Sequence, residues 1–282
     1  MKEIGLEEHK RIQLNILEKF DKYCKEHSLT YFLAYGSLIG AIRHNGFIPW
    51  DDDTDVVMPR QDYLKLIEDF NATNSDTDLE LISPFEKKAR HSYAKLIDTR
   101  TIKIEKGIKY ESENEYHGVD IDIFPIDGQP DDVQIYNKWR KELIKCYAPY
   151  AVMCLDIAQM RWWTKARIIC YRLLYKDKNN LLVRACKLHE KYPYDKCQYV
   201  GVCESCYNNA RNRAKKECYE YPIQHDFEGL LVNIPVGYDT ILRNIYGDYM
   251  QLPPPEMRQS HHGNKVFWKD SCDDVMVTPC NP

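Results

Sequence analysis

YFLAYGSLIGAIRHNGFIPWDDDTDVVMPR, residues 31–60, is the stretch around which the rest of the chain is organised. Its opening run, Tyr31 to Tyr35, is aromatic and aliphatic and reads as a strand buried on both faces. Gly36-Ser37 breaks the run, and Leu38-Ile39-Gly40-Ala41-Ile42 starts a helix. Unpaired backbone N–H groups and the positive end of the dipole then face outward at Gly36 and Ser37, a natural seat for phosphate. The acidic cluster Asp51-Asp52-Asp53-Thr54-Asp55 follows and runs into Val56-Val57-Met58. Side chains alternate along a strand, so Asp53 and Asp55 share a face while Val56 points inward. Carboxylates so placed bind hard divalent cations, which take oxygen ligands and often complete their shell with phosphate. An isolated Asp-x-Asp is more often a solvated turn, so the reading needs support elsewhere in the chain.

The support is at 117–125, HGVDIDIFP, a second acidic strand. Val119, Ile121 and Ile123 fall on one face, Asp120 and Asp122 on the other. Two carboxylates on an otherwise apolar strand are costly to bury unless a cation meets them.

A Gly-Ser turn, an Asp-x-Asp strand and a further strand aspartate form the active-site pattern of the nucleotidyltransferase superfamily. Within it the chain resembles the LicD family of phosphotransferases, distant relatives of the fukutin proteins. The resemblance is carried by GSLIGAIRHNGFIPWDDDTDVVMPRQDY at 36–63, AKLIDTRT at 94–101, GVDIDIFPIDG at 118–128 and FEGLLVNIPVGYDTILRNIYGDYMQLPP at 227–254, with Arg258 and His261-His262 beyond. It implies transfer of a phosphoryl-linked headgroup, typically phosphocholine from CDP-choline, to a hydroxyl of a cell-surface glycan or a teichoic acid-type precursor, with CMP leaving. Asp53, Asp55 and one of Asp120 and Asp122 (Asp122 is favoured) would hold one or two Mg²⁺, with Mn²⁺ an alternative. Gly36 and Ser37 would grip phosphate. Arg43, Lys95 and Arg258 are candidates for the leaving CMP or the transferred phosphate, and His261 and His262 for further phosphate contacts. A choline headgroup calls for an aromatic cage, for which Trp50, Tyr35 and Tyr116 are nearest in sequence. Whether a strand carboxylate or the metal activates the acceptor hydroxyl stays open.

Working outward, Ile12, Ile16, Phe20 and Cys24 recur every four residues, so residues 7–26 form an amphipathic helix leading into the core strand. Arg60 to Phe70 is helical after Pro59; Leu79 to Ile82, Tyr93 to Ile97 and Thr101 to Glu105 are strands. The expected fold is α+β: a nucleotidyltransferase-like mixed sheet flanked by helices, with a helical C-terminal portion. The chain divides into an N-terminal helix (1–28), a catalytic core (29–130) and a helical and C-terminal part (131–282) that completes the site. In that last part Asp131 to Cys146, Arg161 to Tyr175 and Leu181 to Glu190 are helices. Ile234 to Asp239 is a strand and turn, and Thr240 to Tyr246 a short helix. Trp162, Ala166, Ile169 and Leu173 form a stripe on the second of these helices, with Lys165, Arg167 and Arg172 elsewhere. Such a stripe reads first as core packing, although a basic amphipathic helix can also lie on an anionic membrane.

With 39 basic and 43 acidic residues the formal charge is −4, so composition argues against a nucleic-acid partner. MKEIGLEEHKR has no apolar segment after its charges, and no run approaches a membrane span, which suggests a cytoplasmic enzyme, with the inner membrane face as an alternative. The eleven cysteines then read as reduced thiols. Cys203-Glu204-Ser205-Cys206 with Cys197 and Cys218 could form a zinc site, but the irregular spacing favours small buried hydrophobes. The acidic pattern alone would also serve a nucleotidyltransferase moving NMP from an NTP, and phosphoethanolamine or a polyol phosphate could replace phosphocholine. Composition leaves the oligomeric state open.

Overall fold

Helix α1 (Leu6–Glu26) forms where the four-residue repeat predicts it, and Ile12, Ile16, Phe20 and Cys24 are all buried. The computed structural model describes residues 1–110, 117–158, 160–175, 177–203, 210–260 and 263–269. The apolar run at 31–35 is a shorter strand than its composition suggests. β1 is Phe32–Leu33, and helix α2 (Tyr35–His44) already begins at Tyr35. Strand β2 (Asp55–Pro59) and helix α3 (Arg60–Thr73) follow, then β3 (Leu79–Ile82), β4 (Ala94–Asp98), β5 (Thr101–Ile104) and the long β6 (Asp120–Gln129).

The main sheet runs β1-β2-β6-β4-β3. β2 lies parallel to β6, and β4 antiparallel to it. The face carrying Val56, Met58, Leu96, Ile121 and Ile123 packs with α1 residues and with Tyr63, Leu66 and Phe70 of α3 into the largest apolar cluster. The fold is α+β, as expected, with helices around a curled mixed sheet.

After Gln129 the chain turns helical. In α4 (Val133–Met153) Asp132 caps the helix, its carboxylate accepting from the N–H groups of Gln134 and Ile135. α4 packs with α6 (Asn179–His189) into a second core that includes Trp139, Tyr150 and Leu182. Between them lies α5 (Trp162–Leu174), where the core-packing expectation fails. Trp162, Ile169 and Leu173 are exposed, because the stripe faces away from the protein.

Strands return afterwards, which the sequence reading missed at this point. β7 (Tyr199–Val202) pairs with the distal half of β6, and β8 (Ala214–Lys215) with β7. The motif at 227–235 is one arm of a hairpin, β9 (Pro222–Phe227) and β10 (Leu230–Pro235), turning at Glu228-Gly229, both at positive φ. Helix α7 (Tyr238–Tyr246) follows, and β11 (Lys265–Trp268) pairs with β5. Cys203 lies in the second core and Cys218 against a third. Cys206 lies outside the described residues.

Candidate active site

Register builds the centre of the site. Asp55 on β2 is the direct partner of Asp122 on β6, and Asp122 is the direct partner of Lys95 on β4. Three adjacent strands thus present carboxylate, carboxylate and ammonium in one row. Lys95 Nζ is 2.6 Å from Asp122 Oδ1, 3.0 Å from Asp120 Oδ2 and 3.3 Å from Glu105. The second oxygen of Asp122 accepts no hydrogen bond among the described residues.

Asp120, the other candidate on β6, has different surroundings from Asp122. It is 2% exposed and gripped by two ammonium groups, with Lys103 Nζ 2.6 Å from its Oδ1. Burial opposes its charge, but Lys103 and Lys95 outweigh burial and lower its pKa. Burial likewise opposes the Lys95 ammonium, and Asp120, Asp122 and Glu105 raise its pKa well above the ordinary lysine value. Asp120 therefore serves as the counter-ion of two buried lysines. Lys95, expected to bind phosphate, is the hub of this network and also borders the cavity described below.

Asp55 has the opposite surroundings. It is buried, its carboxylate accepts no hydrogen bond among the described residues, and its pKa is raised well above the usual carboxylate range. Burial is the largest cause, followed by the negative charges of Asp53, Asp122 and Asp51, with Lys95 working the other way. A nearly buried carboxylate that faces other carboxylates and has no donor fits a hard cation, which would supply the missing charge. Among the described residues no three His, Cys, Asp or Glu side chains are already gathered as a cage. The fit therefore rests on donor chemistry and mutual repulsion. Asp53 precedes β2 in the connecting loop.

The loop carrying the aspartates is held from both sides. From α1, Lys10 donates to the carbonyls of Ile48 and Pro49, and Gln13 to those of Asp52 and Asp120. From α2, the Ser37 hydroxyl accepts the N–H of Asp55 at 2.9 Å. Ser37 is buried, so the contact the structure gives it positions Asp55, not phosphate. At Gly36 a Cβ would come within 2.6 Å of Asp51 Oδ2, so glycine there admits the Asp51 carboxylate to the start of the helix. A phosphate on that helix end would share its seat with Asp51.

Aromatic side chains surround the row. Tyr35 sits at φ 47°, a strained position for a non-glycine residue. Its ring meets Phe124 edge-on at 5.7 Å, and Phe124 meets Tyr93 at 4.2 Å. Burial, then Asp122, raises the Tyr93 phenol well above its ordinary value. Tyr246 of α7 lies near the cluster: its pKa is raised by the protein packed around it and then by Asp55, Asp53 and Asp51, although 45% of its surface stays exposed. A cavity of about 290 Å³ opens here, lined by Asp53, His91, Tyr93, Lys95, Glu105 and Asp122 among others. In it His91 Nε2 is 2.7 Å from Glu105 Oε2. Sequence reasoning gave no role to Tyr93, Phe124, Tyr246, His91 or Glu105, although all but His91 lie in segments it assigned as strand or helix.

Arg43, Trp50 and Arg258 form a separate group. Arg43 lies seven residues along α2 from Gly36, about 10 Å by helical rise. It donates to the carbonyls of Tyr249 (2.6 Å) and Gln251 (3.4 Å), so it clamps the segment after α7. The Arg258 guanidinium lies over the Trp50 ring at 5.7 Å, and Arg258 is close enough to help lower the Arg43 pKa, after burial. Trp50 therefore joins the arginines and not the Tyr35 group. Tyr116, His261 and His262 lie outside the described residues.

Residues 28–150 match the family described as LicD/FKTN/FKRP, nucleotidyltransferase domain. The chain is also 32% identical over 270 residues to the lipopolysaccharide cholinephosphotransferase LicD of Haemophilus influenzae, a match covering 95% of this chain and 99% of that protein.

Proposed function

The chain belongs to the LicD family and is a phosphotransferase of that type, and from this premise we propose that it moves phosphocholine from CDP-choline to a hydroxyl of a lipopolysaccharide-type glycan, releasing CMP. The observation that carries the reading is the row Asp55–Asp122–Lys95 with Tyr35, Phe124 and Tyr93 beside it. It combines a carboxylate cluster able to hold a divalent cation, which a diphosphate requires, with aromatic faces of the kind that meet a quaternary ammonium. One cation, Lys95, already stands 5.6 Å from the Tyr93 ring centre.

Mg²⁺ held by Asp53, Asp55 and Asp122 would neutralise the donor diphosphate. The chain's own residues do the rest. Lys95 holds the Asp122 carboxylate in orientation, while Ser37 fixes the backbone at Asp55. The acceptor oxygen forms its bond to the choline-bearing phosphorus, the bond from that phosphorus to the bridging oxygen breaks, and CMP leaves with the electron pair. The acceptor proton passes to a carboxylate of the cluster. Arg43, Arg258 and Trp50 form a basic and aromatic surface suited to the nucleotide half, with the arginines the better phosphate partners.

The test is a donor and product screen with purified protein, Mg²⁺ and a lipopolysaccharide acceptor. CDP-choline, CDP-ethanolamine, CDP-polyols and NTPs are compared, and the nucleotide product is identified. CMP from CDP-choline, abolished by EDTA, is expected. Pyrophosphate from an NTP with no CMP from any CDP-linked donor would overturn the assignment, and CMP from another CDP donor alone would change the headgroup.

A further inference from the structure

Helix α5 is mounted with its apolar side outward. Trp162, Leu173 and Leu174 are 75%, 73% and 68% exposed, and Ile168 is its one buried side chain. The side that meets the protein is polar. Arg172 donates to the carbonyls of Met153 (3.1 Å) and Leu155 (2.7 Å), and Lys165 to that of Ala158 (2.8 Å). Trp163 and Ile169 are also exposed, making a contiguous apolar face of the kind that marks an interaction site.

Charge identifies the occupant. From Ile157 to Lys176 the sequence holds Arg161, Lys165, Arg167, Arg172 and Lys176 and no acidic residue, although the whole chain carries −4. Two of its five tryptophans stand side by side at the start of the helix, with the Arg161 guanidinium 5.3 Å from the Trp163 ring centre. Tryptophan beside basic residues is the composition of segments that settle at the interface of an anionic bilayer. At the other end of the helix is a cavity of about 500 Å³ whose lining includes Arg90, Lys109, Arg172 and Lys178, with Asp177 the one carboxylate among the described lining residues. Such a cavity suits the phosphate of a lipid headgroup. A second copy of the chain would bring like-charged helices together, which disfavours a homodimer on this face. The helix is 13 residues long, and among the described residues no helix is long and apolar enough to cross a membrane. It can lie on a bilayer but not span one.

We propose that α5 is a peripheral membrane anchor, its Trp162–Leu173 face entering the interface of an anionic bilayer while Arg161 and Arg167 meet lipid phosphates. The anchor deepens the transfer reading and rests on it only for the purpose of the membrane, where a lipid-linked glycan acceptor is held.

The test is flotation of the full chain with vesicles of phosphatidylcholine alone or mixed with phosphatidylglycerol, with tryptophan fluorescence followed in parallel. Binding to the anionic vesicles, a blue shift and weakening by salt are expected. Leu173→Glu and the pair Arg161→Ala/Arg167→Ala should each weaken binding by about tenfold. Both variants should keep wild-type circular dichroism and transfer to a soluble acceptor sugar. Failure of wild type to bind anionic vesicles, equal binding by either variant, or a solution dimer that Leu173→Glu dissociates would each overturn the anchor. The vesicle assay contains neither donor nor acceptor. Lost binding therefore counts against the anchor alone, and a missing CMP product against the transfer reading alone.

Discussion

Asp120 and Asp122 stand two residues apart on one face of β6 and differ in what surrounds them. Asp120 holds Lys95 and Lys103, whereas Asp122 shares Lys95 and turns toward Asp55. The two asparagine variants should therefore fail in different ways. Asp120→Asn takes from the buried Lys103 ammonium its ion-pair partner, while Lys95 keeps Asp122 and Glu105, and breaking a buried pair costs about 3–5 kcal/mol. Asp122→Asn leaves Lys95 with Asp120 and Glu105, so stability should change little while turnover falls by at least about a hundredfold, the loss of a metal ligand. Urea denaturation and initial rates, measured on both variants, separate the two roles. Retained turnover in Asp122→Asn, or undiminished stability in Asp120→Asn, would refute this division. The spacing of the two aspartates was legible in the sequence because strand side chains alternate. Their difference was not, because it depends on lysines that β4 and β5 bring from 25 and 17 residues away.

At the scale of the element, α2 joins the acidic pole to the arginine group, and its two glycines are needed for different reasons. A Cβ on Gly36 would meet a side-chain oxygen of Asp51, which can swing aside. A Cβ on Gly40 would lie 2.4 Å from the backbone oxygen of Gly46, which cannot move without shifting the loop. Gly40→Ala should therefore cost about 1–3 kcal/mol of stability, as overpacking does. Gly36→Ala should be close to neutral in stability, since helix propensity favours alanine by about 1 kcal/mol, yet lose turnover by displacing Asp51. Thermal melts and transfer assays on the two variants check this, and full activity in Gly36→Ala would remove Asp51 from the site. The helix itself was legible from LIGAI, and the apolar repeats gave α1, α3 and α7 to within a few residues. The outward mounting of α5 was not, because periodicity locates an apolar stripe without saying what covers it. The aromatic group was hidden for a similar reason: Tyr35, Tyr93 and Phe124 are far apart in sequence and meet only through the β1-β2-β6-β4 order, with Tyr35 at the start of the helix after β1.

Across the whole molecule, the helical part is fastened to the core by a buried polar joint. Arg60 at the start of α3 donates to both oxygens of Asp127 on β6, at 2.7 and 2.5 Å. His189 of α6 lies 3.2 Å from the same carboxylate through Nδ1, and its Nε2 is 3.0 Å from the Tyr147 hydroxyl of α4. Burial lowers the His189 pKa from 6.5 to about 4, Asp127 opposing and Arg60 adding to the drop. The imidazole is thus neutral in the folded chain at pH values where the unfolded chain would protonate it. Between about 6.5 and 4 the unfolded state binds the extra proton, so stability is complete above this window and is lost as pH falls through it. At about 1.4 kcal/mol per pKa unit the loss from one such group is on the order of 3 kcal/mol. His9 and His117, also lowered to about 4 chiefly by burial, act with the same sign. Replacing His189 with glutamine should therefore reduce the slope of stability against pH between about 6.5 and 4, whatever it does to stability at neutral pH. Urea denaturation free energies, measured at intervals from pH 7 downward on wild type and His189→Gln, give the two slopes. Equal slopes would mean that the joint between α6 and β6 opens before the core unfolds. In that case the imidazole would reach solvent, and the helical part would come loose as a unit.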